Sequence, residues 1–299
     1  MGTRKERIYI LLAVCTAMIY GGGVVWNKSI MNAGLTPNAL LTFRFAAVAI
    51  IYLIINAKSL RTIDLKQLKH GVILGLIGYG VMFFQMTGLA YTSPANGAFL
   101  NACYITFVPF VSRVFLKQKI KRHVLLCAVL CLIGVYFLAS TGGRALSLGL
   151  GDALCLIGAV FYAVQIVYMA KCMELMQVKT LMLLSSATIA VISLPVLLLT
   201  GDAASFLQVQ WEVVVPNALA VVFLSTLLGV SLQMKIVKEL SPSRVAIIMS
   251  LDSLFATLFS ILLKQDMIRM ELLLGGGLIF LSIVLSELLT MKQPLLNHK

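Results

Sequence analysis

The residue whose position demands an explanation is Asp252. It lies ten residues past Pro242 within an apolar run. At a rise of ~1.5 Å per residue that is roughly 15 Å along a helix, near the centre of a bilayer. A carboxylate there is costly and is by default a functional group. It suits a proton or cation acceptor, or an anchor for a substrate ammonium; a protonated carboxyl hydrogen-bonding between helices is the structural alternative. Arg44 lies seven residues past Pro37, about 10 Å into its own run by the same rise. It suits a substrate carboxylate or a counter-charge to Asp252, and it equally suits helix packing or a head group that snorkels outward.

Two polar stripes accompany this pair. Gly97, Asn101, Tyr104 and Val108 recur at helical spacing, as do Ala159, Tyr162, Gln165 and Met169. Amides and phenols set among apolar residues can orient a small ligand in a cavity. Singly they also serve as hydrogen bonds between packed helices, worth about 0.6 kcal/mol each on average. Tyr20, Tyr79 and Ser250 complete the candidate substrate-binding set, with Asp252 and Arg44 as coupling or counter-ion residues. Gln85 and Gln233 read as symmetric structural partners. Gly71, Gly75 and Gly78 read as a smooth face for close helix packing. No P-loop, HExxH or GxSxG sequence is present, which excludes ATP-driven pumping by this chain alone and weakens hydrolase chemistry. The six cysteines lack metal-ligand spacing and read as small buried hydrophobes. The three histidines fall at the boundaries of runs or in the tail, so no metal or other cofactor is expected.

Such residues need a membrane to position them. Sixty per cent of the chain is hydrophobic and 12% charged, where soluble domains carry about 25% charged residues. Apolar runs fall at about 8–26, 39–56, 71–91, 95–115, 123–140, 150–170, 180–199, 217–235, 243–263 and 271–289. Each can cross a bilayer as a helix, which satisfies its own backbone. The first run follows a basic tetrapeptide as a signal peptide would. It lacks an Ala-x-Ala cleavage site, and it reads as the first span. Pro37, Pro94, Pro216 and Pro242 each stand just before a run, where a missing N–H costs little.

The net charge of +13 is spread over short segments between the runs rather than one basic face, so nucleic acid is excluded as a partner. Placing the N-terminus in the cytoplasm puts nineteen Lys and Arg residues on that side and four (Lys28, Arg144, Lys264, Arg269) on the other. Both termini are therefore expected in the cytoplasm. The chain also repeats. Gln85-Met86 precedes Ser93-Pro94 as Gln233-Met234 precedes Ser241-Pro242, 148 residues on, and Leu116-Lys117-Gln118 returns as Leu263-Lys264-Gln265. Five runs per half force the second half to enter upside down. Such inverted repeats are a secondary-transporter plan, with the site near the midplane between them.

At these positions the sequence resembles the EamA branch of the drug/metabolite transporter superfamily. The resemblance rests on Tyr20-Gly21 with Lys28, Leu35-Thr36-Pro37 with Arg44-Phe45, and Gly88 to Ser93 followed by Ala98-Phe99-Leu100. Gly151-Asp152 and Ser241 to Ala246 continue it into the second half. Tyr20 replaces a family tryptophan, Asp252-Ser253 replaces Glu-Pro, and Lys119 replaces a glutamate. The resemblance implies two five-helix repeats around a central cavity and the transport, often export, of small metabolites.

The expectation is thus an all-α polytopic membrane protein with ten transmembrane helices in two inverted five-helix repeats, residues 1–147 and 148–299. It would be a carrier rather than an enzyme, moving amino-acid-like or similar neutral or zwitterionic metabolites by alternating access across the plasma (bacterial inner) membrane. Its partners would be a small-molecule substrate, the lipid bilayer and a proton as candidate coupling ion, in a monomer or homodimer. The competing reading is a lipid-processing membrane enzyme or scaffold, which would gather acid–base groups at one interface instead of the midplane.

Overall fold

The computed structural model describes residues 4–56, 63–116, 122–139, 149–240 and 242–291. Lys58, Arg61, Lys117, Gln118, Lys119, Lys121, Arg144, Ser241, Lys292, His298 and Lys299 lie outside the described residues. The order is α1 (Arg4–Asn32), α2 (Pro37–Asn56), α3 (Leu65–Tyr91), α4 (Pro94–Ala102), α5 (Tyr104–Leu116) and α6 (Arg122–Ala139). It continues with α7 (Leu150–Leu175), α8 (Val178–Leu199), α9 (Trp211–Leu219), a π-helical stretch (Ala220–Val230), α10 (Ser231–Glu239), α11 (Pro242–Met249), α12 (Leu251–Leu262) and α13 (Met270–Met291). No strand occurs among the described residues. Among the described residues, eight segments are long and apolar enough to cross a membrane: α1, α2, α3, α4–α5, α7, α8, α9–α10 and α11–α12.

Hydrogen bonds define two ends of the bundle. At one, Lys5 pairs with Glu239 at 2.8 Å and Arg244 with Glu6, so the starts of α1 and α11 meet the end of α10. The same end joins Gln67 of α3 to the Leu175 carbonyl of α7, and Asn56 of α2 to Thr180 of α8. At the other end, Lys28 of α1 donates to the carbonyls of Leu89 (2.7 Å), Ala90 (3.2 Å) and Thr92 (2.9 Å), carbonyls that the end of α3 leaves without helical partners. There Thr92 also donates to Asp152 at 2.9 Å, Gln265 to Ser29 at 2.6 Å and the Ala95 amide to Asp266 at 2.9 Å. Successive long helices therefore run in alternate directions.

Their packing has a mirrored order. Helix α2 packs on α8 and α6 on α13; α3 packs on α7 as the α9–α10 segment packs on α1; α4 and α5 lie on α7 as α11 and α12 lie on α1. Close approach depends on small residues, since apolar side chains in lipid gain little by association alone. A Cβ on Gly88 would stand 2.8 Å from the Gly151 carbonyl, and one on Gly151 2.8 Å from the Gly88 carbonyl, so α3 and α7 touch backbone to backbone. Gly71 and Gly75 face Leu184 and Thr188 of α8, the close packing expected of that stripe.

Three local features depart from the sequence expectation. The runs at 95–115 and 243–263 are each broken, at Cys103 and at Ser250, 147 residues apart. Both breaks tighten to three-residue turns, Thr106 N–H to the Cys103 carbonyl at 3.0 Å and Ser253 N–H to the Ser250 carbonyl at 3.1 Å. Pro94 and Pro242 do open their helices, but Pro216 lies inside α9, which begins at Trp211. The π-helical stretch begins four residues beyond Pro216, whose missing N–H leaves the Glu212 carbonyl without its helical donor. Finally, α1 continues to Asn32, six residues past the apolar run.

Candidate substrate cavity

A cavity lies among α1, α2, α3, α4, α7, α8, the π-helical stretch, α10 and α12. Along α3 its lining extends from Leu74 to Leu89, fifteen residues or roughly 22 Å, most of a hydrocarbon core about 30 Å thick. The centres of water-sized spheres can sweep about 110 Å³ in it. One water needs about 10–15 Å³ on that measure, so a molecule on the order of ten non-hydrogen atoms has room.

Six of the nine candidate residues line this cavity: Tyr20, Arg44, Asn101, Tyr162, Gln165 and Asp252. Tyr79, Tyr104 and Ser250 stand apart from its lining. Tyr104 is fully buried behind Tyr162; their rings meet edge to face at 4.6 Å, and its hydroxyl donates to the Ala246 carbonyl at 2.9 Å. The break at Cys103 ends α4 at Ala102 and opens α5 at Tyr104, so the Gly97–Val108 stripe is divided between two helices. Tyr79 stacks on Phe83 at 5.7 Å in a small cluster with Leu41, Phe45 and Ile189. Ser250 forms the break in α11–α12, two residues before Asp252.

Arg44 is 5% exposed and held by the second half of the chain. Its Nε donates to the Thr226 hydroxyl, Nη2 to the Ser225 hydroxyl at 3.3 Å and Nη1 contacts Met82 Sδ at 3.9 Å. The π-helical stretch positions both hydroxyls, and Thr226 bonds back to the Val221 carbonyl at 2.9 Å, five residues earlier. Single π turns recur at functional sites. The ion pairs among the described residues are Lys5–Glu239, Arg244–Glu6 and Arg269–Asp266, so Arg44 and Asp252 are not directly paired.

A hydrogen-bonded chain crosses the cavity wall. Tyr20 donates to Gln233 Oε1 at 2.8 Å, and Gln233 Nε2 donates to the Tyr162 hydroxyl at 2.8 Å. It ties α1 to α10 and α10 to α7. Gly229 leaves space for it, since a Cβ there would be 2.7 Å from the Tyr20 ring. Gln85 also lines the cavity, and Gln233 is thus more than a packing partner of it.

The lining includes residues that sequence reasoning passed over: Asn27, Met82, Ser185 and Ser186. The serines of α8 lie seven and eight residues past Val178, a depth that could have drawn attention. Asn27 adjoins Lys28 and reads as interfacial by composition alone, yet it is 4% exposed, while Lys28 beside it bonds the α3 carbonyls. Among the described residues no group of three or more His, Cys, Asp or Glu could hold a metal ion.

The sequence pattern of the EamA-like transporter family matches residues 7–140 and again residues 149–288. An uncharacterized transporter of Archaeoglobus fulgidus is 25% identical over 286 residues, which cover 95% of this chain and 87% of that protein. The uncharacterized transporter YyaM of Bacillus subtilis is 29% identical over 153 residues, 47% of this chain and 49% of its own length. A solved structure, titled only as the crystal structure of a protein, superposes with a TM-score of 0.68 at 16% identity, covering 96% of this chain and 98% of that one. It shares the fold.

Proposed function

The chain belongs to the EamA-like transporter family, matched in both halves, and on that premise we propose that it is a secondary carrier which exports small, amino-acid-like or similar neutral or zwitterionic metabolites by alternating access. The observation that carries the reading is the cavity itself. It runs through most of the bundle's depth, is walled by helices from both halves, and holds one buried acid and one buried guanidinium that do not neutralise each other. A lipid enzyme would need its acid–base groups at an interface; Asp252 and Arg44 are deep.

The architecture we infer is ten membrane helices, with α6 and α13 as the fifth and tenth, in two inverted repeats of residues 1–147 and 148–299. The mirrored packing order and the paired breaks at Cys103 and Ser250 support it. The bacterial inner membrane is the proposed location. The end carrying Lys5 faces the cytoplasm, because Lys5, Arg7, Lys66, Lys69, Lys171, Lys179, Lys235, Lys238 and Arg244 gather there. Asp252 carries the coupling proton or the substrate's positive charge, and Arg44 sets the counter-charge.

In alternating access each face must open in turn. At the Lys28 end the contact to break is Gln265 with Ser29, 2.6 Å apart. Cysteines at both positions, bridged through disulfides by a short bis-methanethiosulfonate in proteoliposomes, should stop flux of radiolabelled amino acids, nucleosides or amines, and a reductant should restore it. Undiminished flux with that face cross-linked would refute alternating access.

A further inference from the structure

Among the described residues, five buried side-chain oxygens have no hydrogen-bond partner: those of Asn27, Asn56, Asn101, Asp252 and Gln265. Three of them line the cavity, on residues 4% (Asn27), 7% (Asn101) and 7% (Asp252) exposed. They come from α1, α4 and α12, which pack against one another and form one wall. Asp252 lies beside Gly21, whose Cβ would stand 2.8 Å from the Asp252 carbonyl. Asn27 is six residues further along α1, roughly 9 Å closer to the Lys28 end. Asn101 is seven residues into α4 from that end, roughly 10 Å deep. The unpartnered oxygens thus descend one wall toward the carboxylate.

Several donors elsewhere in the cavity are engaged. Arg44 is held by Thr226, Ser225 and Met82; Tyr20 and the Gln233 amide are bonded in their chain; Ser185 donates to the Leu181 carbonyl at 2.7 Å. A buried acceptor without a donor is expensive, and a charged one more so. An occupant that brings donors, with a positive charge beside Asp252, satisfies these oxygens. A bare metal ion does not fit, because oxygens spread over about 9 Å cannot converge at the 2.0–2.6 Å that such ions require.

Resting on the carrier reading above, we propose that the cavity recognises its substrate by a protonated amine, whose N–H groups donate to Asp252 and Asn101 while Asn27 accepts a further donor nearer the Lys28 end. A carboxylate on the substrate would meet the unpartnered oxygens of this wall, and each Arg44 nitrogen already has one partner within the protein. An ammonium with three hydrogens matches the three unpartnered oxygens of this wall, whereas a quaternary ammonium supplies the charge without donors.

The test is binding by the full-length purified protein, read as the ligand-dependent rise in thermal-unfolding midpoint. The probes are butylamine, butyltrimethylammonium, butanol and butyrate at equal concentration. Butylamine should raise the midpoint most, butyltrimethylammonium less, and butanol and butyrate not at all. Asp252→Asn should weaken butylamine about ten- to hundredfold, the loss of one charge-assisted bond. Asn101→Leu should weaken it, while Asn101→Asp, which keeps the acceptor, should not. Equal shifts from butanol or butyrate, no shift from any probe, or butylamine binding that ignores Asp252→Asn would each overturn the proposal. Amine binding without flux would remove the carrier reading and leave this one; flux confined to compounds without an amine would do the reverse.

Discussion

Replacing Gln233 by leucine removes the centre of the Tyr20–Gln233–Tyr162 chain at nearly constant volume. Gln233 is 2% exposed, accepts from Tyr20 at 2.8 Å and donates to Tyr162 at 2.8 Å. Two buried phenol groups left without partners would cost about 1–3 kcal/mol each, a ceiling of about 6 kcal/mol. Hydrogen bonds between membrane helices average only about 0.6 kcal/mol, a floor of about 1.2 kcal/mol for the two. The floor is the better guide here, because double-mutant cycles between membrane helices give that smaller range. The expected loss is therefore about 1–2 kcal/mol. It can be measured by reversible unfolding in mixed detergent micelles. Tyr20→Phe and Tyr162→Phe, alone and combined with Gln233→Leu, complete the double-mutant cycles. Each pair should show non-additivity of about 0.5 kcal/mol or more. A loss below about 0.3 kcal/mol with strictly additive doubles would show that the chain does not hold α1, α7 and α10 together.

Three further outcomes are expected. Gly88→Ala should destabilise by about 1–3 kcal/mol, since its Cβ would press on the Gly151 carbonyl at 2.8 Å, while Gly277→Ala, with nothing within 4 Å, should be neutral or gain up to about 1 kcal/mol; equal thermal shifts for the two would contradict the backbone contact of α3 and α7. Arg44→Lys should fail to restore transport lost in Arg44→Ala, because one ammonium cannot reproduce the planar fork that reaches Thr226 and Ser225 together; wild-type flux in the lysine variant would show that charge alone is read. Cysteine at Leu207, which is 88% exposed, should react with an impermeant thiol reagent in intact cells and cysteine at Lys66 should not; the reverse pattern would invert the proposed orientation.

The membrane class, the run positions and the doubled plan were legible in the sequence because each is carried by local composition or by a fixed offset. A run of about 20 apolar residues is a helix in lipid wherever it packs, and Ser-Pro at positions 93–94 and 241–242 marks two equivalent starts without reference to neighbours. Burial depth along a helix is also local arithmetic, which is why Asp252, Arg44, Asn101, Tyr162 and Gln165 could be named as polar residues in the membrane and all line the cavity.

Tertiary packing decided the rest. Tyr104 opens a separate helix and packs behind Tyr162, and no apolar periodicity encodes the break at Cys103, since the residues on both sides remain helical and hydrophobic. Asn27 reads as interfacial until Lys28 is seen to be satisfied by three carbonyls of another helix, more than sixty residues away. Arg44 is read alone as a candidate for Asp252, but Ser225 and Thr226, about 180 residues distant, claim its donors. Hydrogen bonds are short-ranged and directional, so which donor meets which acceptor follows from helix placement to within an ångström. Sequence spacing sets a residue's depth and its helix face; only the packed bundle leaves the oxygens of Asn27, Asn101 and Asp252 without partners on one wall.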